Sequence, residues 1–179
     1  MTRTDLGGAA SARATADRET GEFEAAVVPL MPPLLAYFAR RVLPVDDAAD
    51  CLSETMIVLW RQRATLPASE GARRGWAFGI AKRVLANQRR GRIRQMALAD
   101  RVRAEVRAAM PDSSAAAGDD DAVSVALDSL PERDRELVRL IVWDGFGVAE
   151  AGALLGIRAG AARTRYSRAK QRLRELLPE

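Results

Sequence analysis

The chain contains no histidine, and that absence narrows its chemistry before anything else does. Histidine is the commonest general base near neutral pH and the commonest metal ligand. There is one cysteine, Cys51, so neither a zinc site nor a disulfide framework is expected, and an oxidising extracellular home is disfavoured. No nucleophile–base pair and no phosphate-binding glycine loop can be assembled, so catalysis is not expected. Aromatic residues make up only 5%, which leaves few platforms for stacking. No run of about 18 apolar residues is present, so no membrane insertion is expected, and the first residues carry no apolar signal-peptide core. A cytoplasmic protein without metal or cofactor is the expectation. Lysine is scarce as well: apart from Lys82 and Lys170 every basic residue is arginine. With the alanine content, this suggests a GC-rich genome.

What is present is charge, and it is segregated. The 179 residues carry 28 basic and 24 acidic side chains, a net +4 that makes an anionic partner plausible. The densest basic stretch closes the chain. Between Arg158 and Arg174 lie Arg158, Arg163, Arg165, Arg168, Lys170, Arg172 and Arg174, with no acidic residue. Ahead of it, Val148, Ala151, Leu154 and Leu155 mark a short apolar helix that ends in a Leu-Gly-Ile turn at 155–157. A short helix, a tight turn and a basic second helix form the pattern of a helix-turn-helix, whose second helix enters a DNA major groove. A second basic stretch runs from Trp76 to Arg94, with Lys82, Arg83, Arg89, Arg90, Arg92 and Arg94 and again no acid; Arg73 and Arg74 precede it.

The rest of the chain organises around these two stretches. Residues 1–21 lack periodicity and read as a disordered tail. Pro29, Pro32 and Pro33 interrupt any early helix, and Leu34, Leu35, Phe38 and Val42 resume one. Val45, Ala49, Leu52, Met56 and Leu59 recur at helical steps and predict one apolar face. Asp46, Asp50 and Glu54, joined by Asp47, form an acidic stripe off that face, with Ile57 beside it. An interaction surface and a solvated face both fit the stripe. Leu66–Gly75 reads as a loop, and Trp76, Ile80 and Val84 should then face a core. Residues 96–126 read as a linker, with the acidic, Pro- and Ser-bearing run 111–122 at its centre. Pro131 is placed to start a helix, which Leu137, Leu140 and Ile141 continue. No strand-like alternation appears. The reading is an all-α protein: two small helical domains, at 22–95 and 127–179, joined by a flexible acidic linker.

That order of parts resembles the extracytoplasmic-function group of the sigma-70 family, the promoter-specificity factors of bacterial RNA polymerase. Ala48-Ala49-Asp50-Cys51-Leu52-Ser53-Glu54-Thr55 through Trp60 is similar to the family's A-E-D-L-x-Q-E-x…W segment. Residues 76–90 (WAFGIAKRVLANQRR) are similar to W-L-x-x-I-A-x-N-x-x-x-D-x-x-R. Leu130-Pro131-x-x-x-Arg135 and residues 160–170 (GAARTRYSRAK) are similar to the L-P-x-x-x-R and G-T-V-K-S-R-L-x-R-A-R of the family's region 4. Each motif is weak alone; their order and spacing together are specific.

The resemblance implies a region 2 helical bundle and a region 4 helix-turn-helix. In region 2 it implies binding of the clamp helices of the largest polymerase subunit through Asp47, Asp50, Glu54, Ile57 and Trp60. It also implies −10 element recognition and melting by Arg73, Arg74, Lys82, Arg83, Asn87, Arg89 and Arg90. In region 4 it implies binding of the second-largest subunit's flap and −35 recognition by Arg158, Arg163, Thr164, Arg165, Ser167, Arg168 and Lys170. Most of these arginines would hold phosphate and so position rather than specify; a bidentate arginine on guanine can discriminate. Such factors are commonly held by an anti-sigma factor, which is expected here as a further partner. For Trp60 and Trp76 a plain core role stays open, and for Cys51 a buried structural thiol is the simpler reading.

The sequence also departs from the pattern. Ala161 and Ala162 replace Thr and Val, and Ala151 and Gly152 replace Ile and Ala. Lost methylenes in a small core predict a helix-turn-helix of marginal stability. Ala49, Ser53, Arg83 and Asn87 depart within region 2. Two rival readings remain: a stand-alone helix-turn-helix regulator that binds duplex DNA unaided, and an RNA-binding adaptor.

Overall fold

A computed structural model describes residues 6–42, 44, 46–107 and 122–177, and among these residues there is no strand. The helices are α1 (Leu6–Val27), α2 (Met31–Ala39), α3 (Asp47–Arg61), α4 (Glu70–Arg107), α5 (Ala122–Asp128), α6 (Glu132–Val142), α7 (Val148–Leu155) and α8 (Ala159–Leu176). The chain divides into two compact units between Arg90 and Gly91.

In the first unit the core is built from large side chains. Phe23 and Val27 enter it from α1, Leu30 from the 3-10 turn that follows, Leu34, Tyr37 and Phe38 from α2, and Phe78, Ile80, Val84 and Leu85 from α4. Tyr37 stands edge-on to Phe38 at 5.3 Å and to Phe78 at 5.4 Å, the arrangement aromatic quadrupoles favour. Pro32 and Pro33 fall in the first turn of α2, where a missing N–H costs nothing. Arg41 is buried, yet its guanidinium donates to the Tyr37 carbonyl at 3.0 Å and lies 3.9 Å over the Tyr37 ring.

Four expectations are corrected here. From Leu6 onward the supposed disordered tail is the alanine-rich helix α1, anchored at its far end by buried Phe23 and Val27. The loop expected over Leu66–Gly75 is shorter, because Ser69 caps α4: its Oγ accepts from the Ala72 N–H at 3.3 Å, and the helix starts at Glu70. The inward face of α3 is Ala48, Cys51, Thr55 and Leu59, while Ala49 is exposed and Leu52 and Met56 are half-buried. The helix can roll this way because the Thr55 hydroxyl donates to the Cys51 carbonyl at 2.7 Å, so a polar residue enters the core satisfied. On α4, Trp76 is only half-buried; Ala77, Phe78, Ile80, Ala81, Val84 and Leu85 take the inside.

α4 runs on to Arg107 and α5 begins at Ala122, so helices enter the expected linker from both sides. Residues 108–121, the centre of that linker, lie outside the described residues, as does most of its acidic run.

The second unit has a core mainly of leucine, valine and alanine. Leu127, Leu130, Val138 and Ala169 form a buried cluster against which Tyr166 and Leu173 rest, joining α5, α6 and α8. Pro131 sits just before α6 in extended conformation, φ −53° and ψ 141°. α7 starts at Gly147, whose N–H donates to the Glu150 carboxylate at 2.8 Å, and it ends at Gly156 in the left-handed region, φ +68°. The Ile157 N–H then reaches back to the Gly152 carbonyl at 2.8 Å, closing the turn before α8.

The small residues of this motif leave no gap between α7 and α8. A Cβ on Gly152 would lie 2.8 Å from the Ala162 Cβ and 3.1 Å from the Ile157 carbonyl oxygen. α7 and α8 have closed onto the missing methylenes, so the glycine and the alanine permit contact instead of leaving a void.

Candidate functional site

Three surfaces follow from how these helices roll. On α3, burying Ala48, Cys51, Thr55 and Leu59 turns Asp50, Glu54, Ile57 and Trp60 outward. Ile57 is 51% exposed, a β-branched apolar residue one turn from Glu54 with no place in the core. Trp60 is not a core residue either. Its indole is 39% exposed, with Phe23 edge-on at 5.3 Å and the Arg63 guanidinium 4.5 Å over the ring. Arg63 also donates to the Trp60 carbonyl at 3.2 Å. Sequence reading passed over Arg63 and Phe23; a cation three residues after an exposed tryptophan was the only local signal for the first. Asp47 parts from the set: its carboxylate accepts from the Gln88 amide at 3.1 Å, tying the start of α3 to α4.

Buried beneath this acidic face, Cys51 has its thiol pKa raised, first by loss of water and then by the charges of Glu54, Asp47 and Asp50. Such a thiol stays protonated and unreactive at neutral pH.

On α4 the helical step of about 100° per residue sorts the basic residues. Arg83, Asn87 and Arg90 share the exposed face, and Lys82 and Arg89 flank it on one side. Arg90 donates to the Asn87 side-chain oxygen, so the asparagine is held by its neighbour. Arg73 and Arg74 are half-buried in the first turns, and the Arg74 guanidinium lies 5.7 Å from the Phe78 ring centre. Between α1 and the turn after α3 opens a cleft of about 440 Å³, lined by Glu19, Glu22, Phe23, Arg61, Arg63, Ala64 and Leu66.

On α8 the inward positions are Ala162 and Ala169, with Tyr166 and Leu173 half-buried. Opposite them stand Arg163, Thr164, Ser167 and Arg168, all exposed and within two turns. Lys170 is exposed nearby, and Arg158 precedes the first turn. The Thr164 hydroxyl donates to the Gly160 carbonyl at 3.2 Å. Arg165 departs from the others. Its guanidinium pairs with Asp134 of α6 at 2.7 Å, on the side of α8 that faces its own domain.

Among the described residues no group of acidic or cysteine side chains is placed to hold a metal ion, and no helix is long and apolar enough to cross a membrane.

Two family models match the chain: Sigma-70 region 2 over residues 31–95 and Sigma-70, region 4 over residues 120–173. The chain is 32% identical over 166 residues to the ECF RNA polymerase sigma factor SigF of Caulobacter vibrioides, covering 89% of this chain and 87% of that protein. It is 35% identical to the RNA polymerase sigma factor CarQ of Myxococcus xanthus, covering 83% of this chain and 84% of that protein. In fold it is similar to the sigma factor RpoE of Bartonella quintana, solved in complex with the anti-sigma factor NepR, with a TM-score of 0.65 and 25% identity over 87% of this chain and 96% of that one. A stand-alone helix-turn-helix regulator would carry no region 2, so that alternative is not favoured. The chain belongs to the extracytoplasmic-function group of the sigma-70 family and is a non-enzymatic initiation factor that directs RNA polymerase to specific promoters.

Proposed function

We propose that the three surfaces divide the work of initiation as follows. Asp50, Glu54, Ile57 and Trp60 bind the clamp helices of the largest polymerase subunit. Acidic side chains beside an exposed isoleucine suit a basic, partly apolar coiled coil. Asp47 supports that face through Gln88. Arg83, Asn87 and Arg90, with Lys82 and Arg89 at the flank, hold the −10 strand, and Arg73 and Arg74 stand at the upstream end of the same helix. The cleft between α1 and the turn after α3 is the proposed receptacle for a base drawn out of the stack. Arg163, Thr164, Ser167 and Arg168 read the −35 element in the major groove, with Arg158 and Lys170 on phosphate. The remainder of region 4 meets the flap of the second-largest subunit. We place the domains at 22–95 and 127–179, the protein in the cytoplasm, and an anti-sigma factor among its partners; the complex formed by the Bartonella relative supports the last.

The observation that carries this reading is the outward roll of α3. An acidic and apolar face with no role in its own core has a use in a polymerase-bound factor and none in a free DNA-binding regulator. The test is run-off transcription with core polymerase on a promoter library. Specific transcripts that require the chain are expected, together with poor binding of promoter duplex by the chain alone. No specific transcript from any promoter would sink the assignment, and tight promoter binding without polymerase would favour the free regulator.

A further inference from the structure

The pairing of Arg165 with Asp134 bears on how α8 reads DNA. Arg165 lies between Thr164 and Tyr166 in a helix whose other arginines point to solvent. Its guanidinium is instead held at 2.7 Å by a carboxylate on α6 whose side chain is only 20% exposed. Asp134 sits in the first turn of α6, where a negative charge is favoured by the helix dipole. The second restraint on α8 is the contact between Gly152 and Ala162, one turn earlier and about 60° round the helix. Two restraints, one to α6 and one to α7, fix the rotation of α8 about its own axis. Rotation is what decides which side chains meet base edges, because neighbouring residues are about 100° apart.

We propose that Asp134 is a positioning residue for −35 recognition. It holds Arg165 away from the phosphates and sets the roll of α8, so that Arg163, Thr164, Ser167 and Arg168 face the groove. This rests on the assignment of those four residues to the −35 element. It replaces Arg165 as a DNA contact with Arg165 as a brace. An arginine on a recognition helix that is free to swing would find any phosphate, adding affinity for all sequences alike and diluting specificity.

The experiment is a double-mutant cycle on the full chain in holoenzyme. Binding to a promoter and to the same promoter with a scrambled −35 element is measured across a range of salt. Asp134→Ala should free Arg165, so the slope of log affinity against log salt steepens by about one phosphate contact while −35 discrimination falls, about threefold or more. Arg165→Ala should also lower discrimination but leave the slope unchanged. The double variant should behave like Arg165→Ala. Asp134→Glu, which keeps the charge, should restore most of the discrimination. A slope that becomes shallower by about one in Arg165→Ala, with discrimination kept, would make Arg165 a phosphate contact and overturn the proposal. So would an Asp134→Ala variant identical to the parent in both readouts. Arg168→Ala is the control for the underlying assignment: it should lose about tenfold in discrimination. If it loses none, the reading of α8 itself is wrong, whatever the Asp134 variants do. Thermal unfolding of each variant separates a loss of roll from a loss of fold.

Discussion

The two units solve the packing of helices in opposite ways. The first fills its interior with volume: Tyr37, Phe38, Phe78, Leu34, Leu59 and Ile80 are all within 2% of complete burial. The second, at its helix-turn-helix, removes volume: Gly152 and Ala162 bring α7 and α8 into contact, and Ala151, next to Gly152, is buried as well. The first arrangement is damaged by taking atoms away and the second by adding them. The difference also suits their tasks. A bundle that presents exposed side chains to a large partner needs a rigid base. A recognition helix needs a fixed roll, and backbones in close contact fix it with few side chains.

The comparison can be broken most readily in the first core. Phe78→Ala should cost the first unit about 3–5 kcal/mol, read by denaturant unfolding, while leaving the second unit's transition in place. A loss below about 1 kcal/mol would mean that the aromatic cluster is not the foundation it appears from burial. The converse substitution, Gly152→Val, should destabilise the second unit by about 1–3 kcal/mol through overpacking against Ala162 and the Ile157 carbonyl. Neutral behaviour would show that α7 and α8 can part without cost. Gly156→Ala tests the turn alone. At φ +68° a side chain is strained, and a loss of about 1–2 kcal/mol is expected in the same unfolding experiment.

Ile57→Asp should change neither transition, since that side chain is half outside already, yet should weaken binding to core polymerase about tenfold in a competition assay. An unchanged affinity would return the α3 stripe to a solvated face. The smallest effect concerns Cys51. Its thiol pKa is raised in the folded chain, so the fold binds that proton more tightly than the unfolded chain does. The resulting stability is present below the ordinary thiol value and is lost as pH rises through the raised one. Alkaline unfolding of the parent should therefore show a decline that Cys51→Ala lacks; parallel curves would contradict it.

Much of this was open to reading from the chain. The basic runs ahead of Arg94 and Arg174 fall on α4 and α8, the two helices proposed to meet promoter DNA. The Leu-Gly-Ile turn lies where it was read, and its Gly156 is left-handed, a backbone that only glycine adopts without strain. Other features misled for identifiable reasons. The apolar pattern centred the face of α3 one residue off, because the bond from Thr55 to the Cys51 carbonyl, which lets a polar residue turn inward, exists only once the helix does. The segment before Phe23 has no apolar period, because α1 is held chiefly by its last turns. Gly152 and Ala162 looked like missing volume, since a sequence shows side chains and not the distance between backbones.

The sequence by itself determined the helical class, the order of the two regions and the family, because periodicity, charge and turn residues are local properties that survive without contacts. Only the tertiary structure decided what each charge is for. Asp47 is spent on Gln88 and Arg165 on Asp134, while Asp50, Glu54 and Arg168 remain exposed. An ion pair or hydrogen bond across 31 or 41 residues depends on how two helices are rolled against each other, and that roll is set by the sum of their buried contacts.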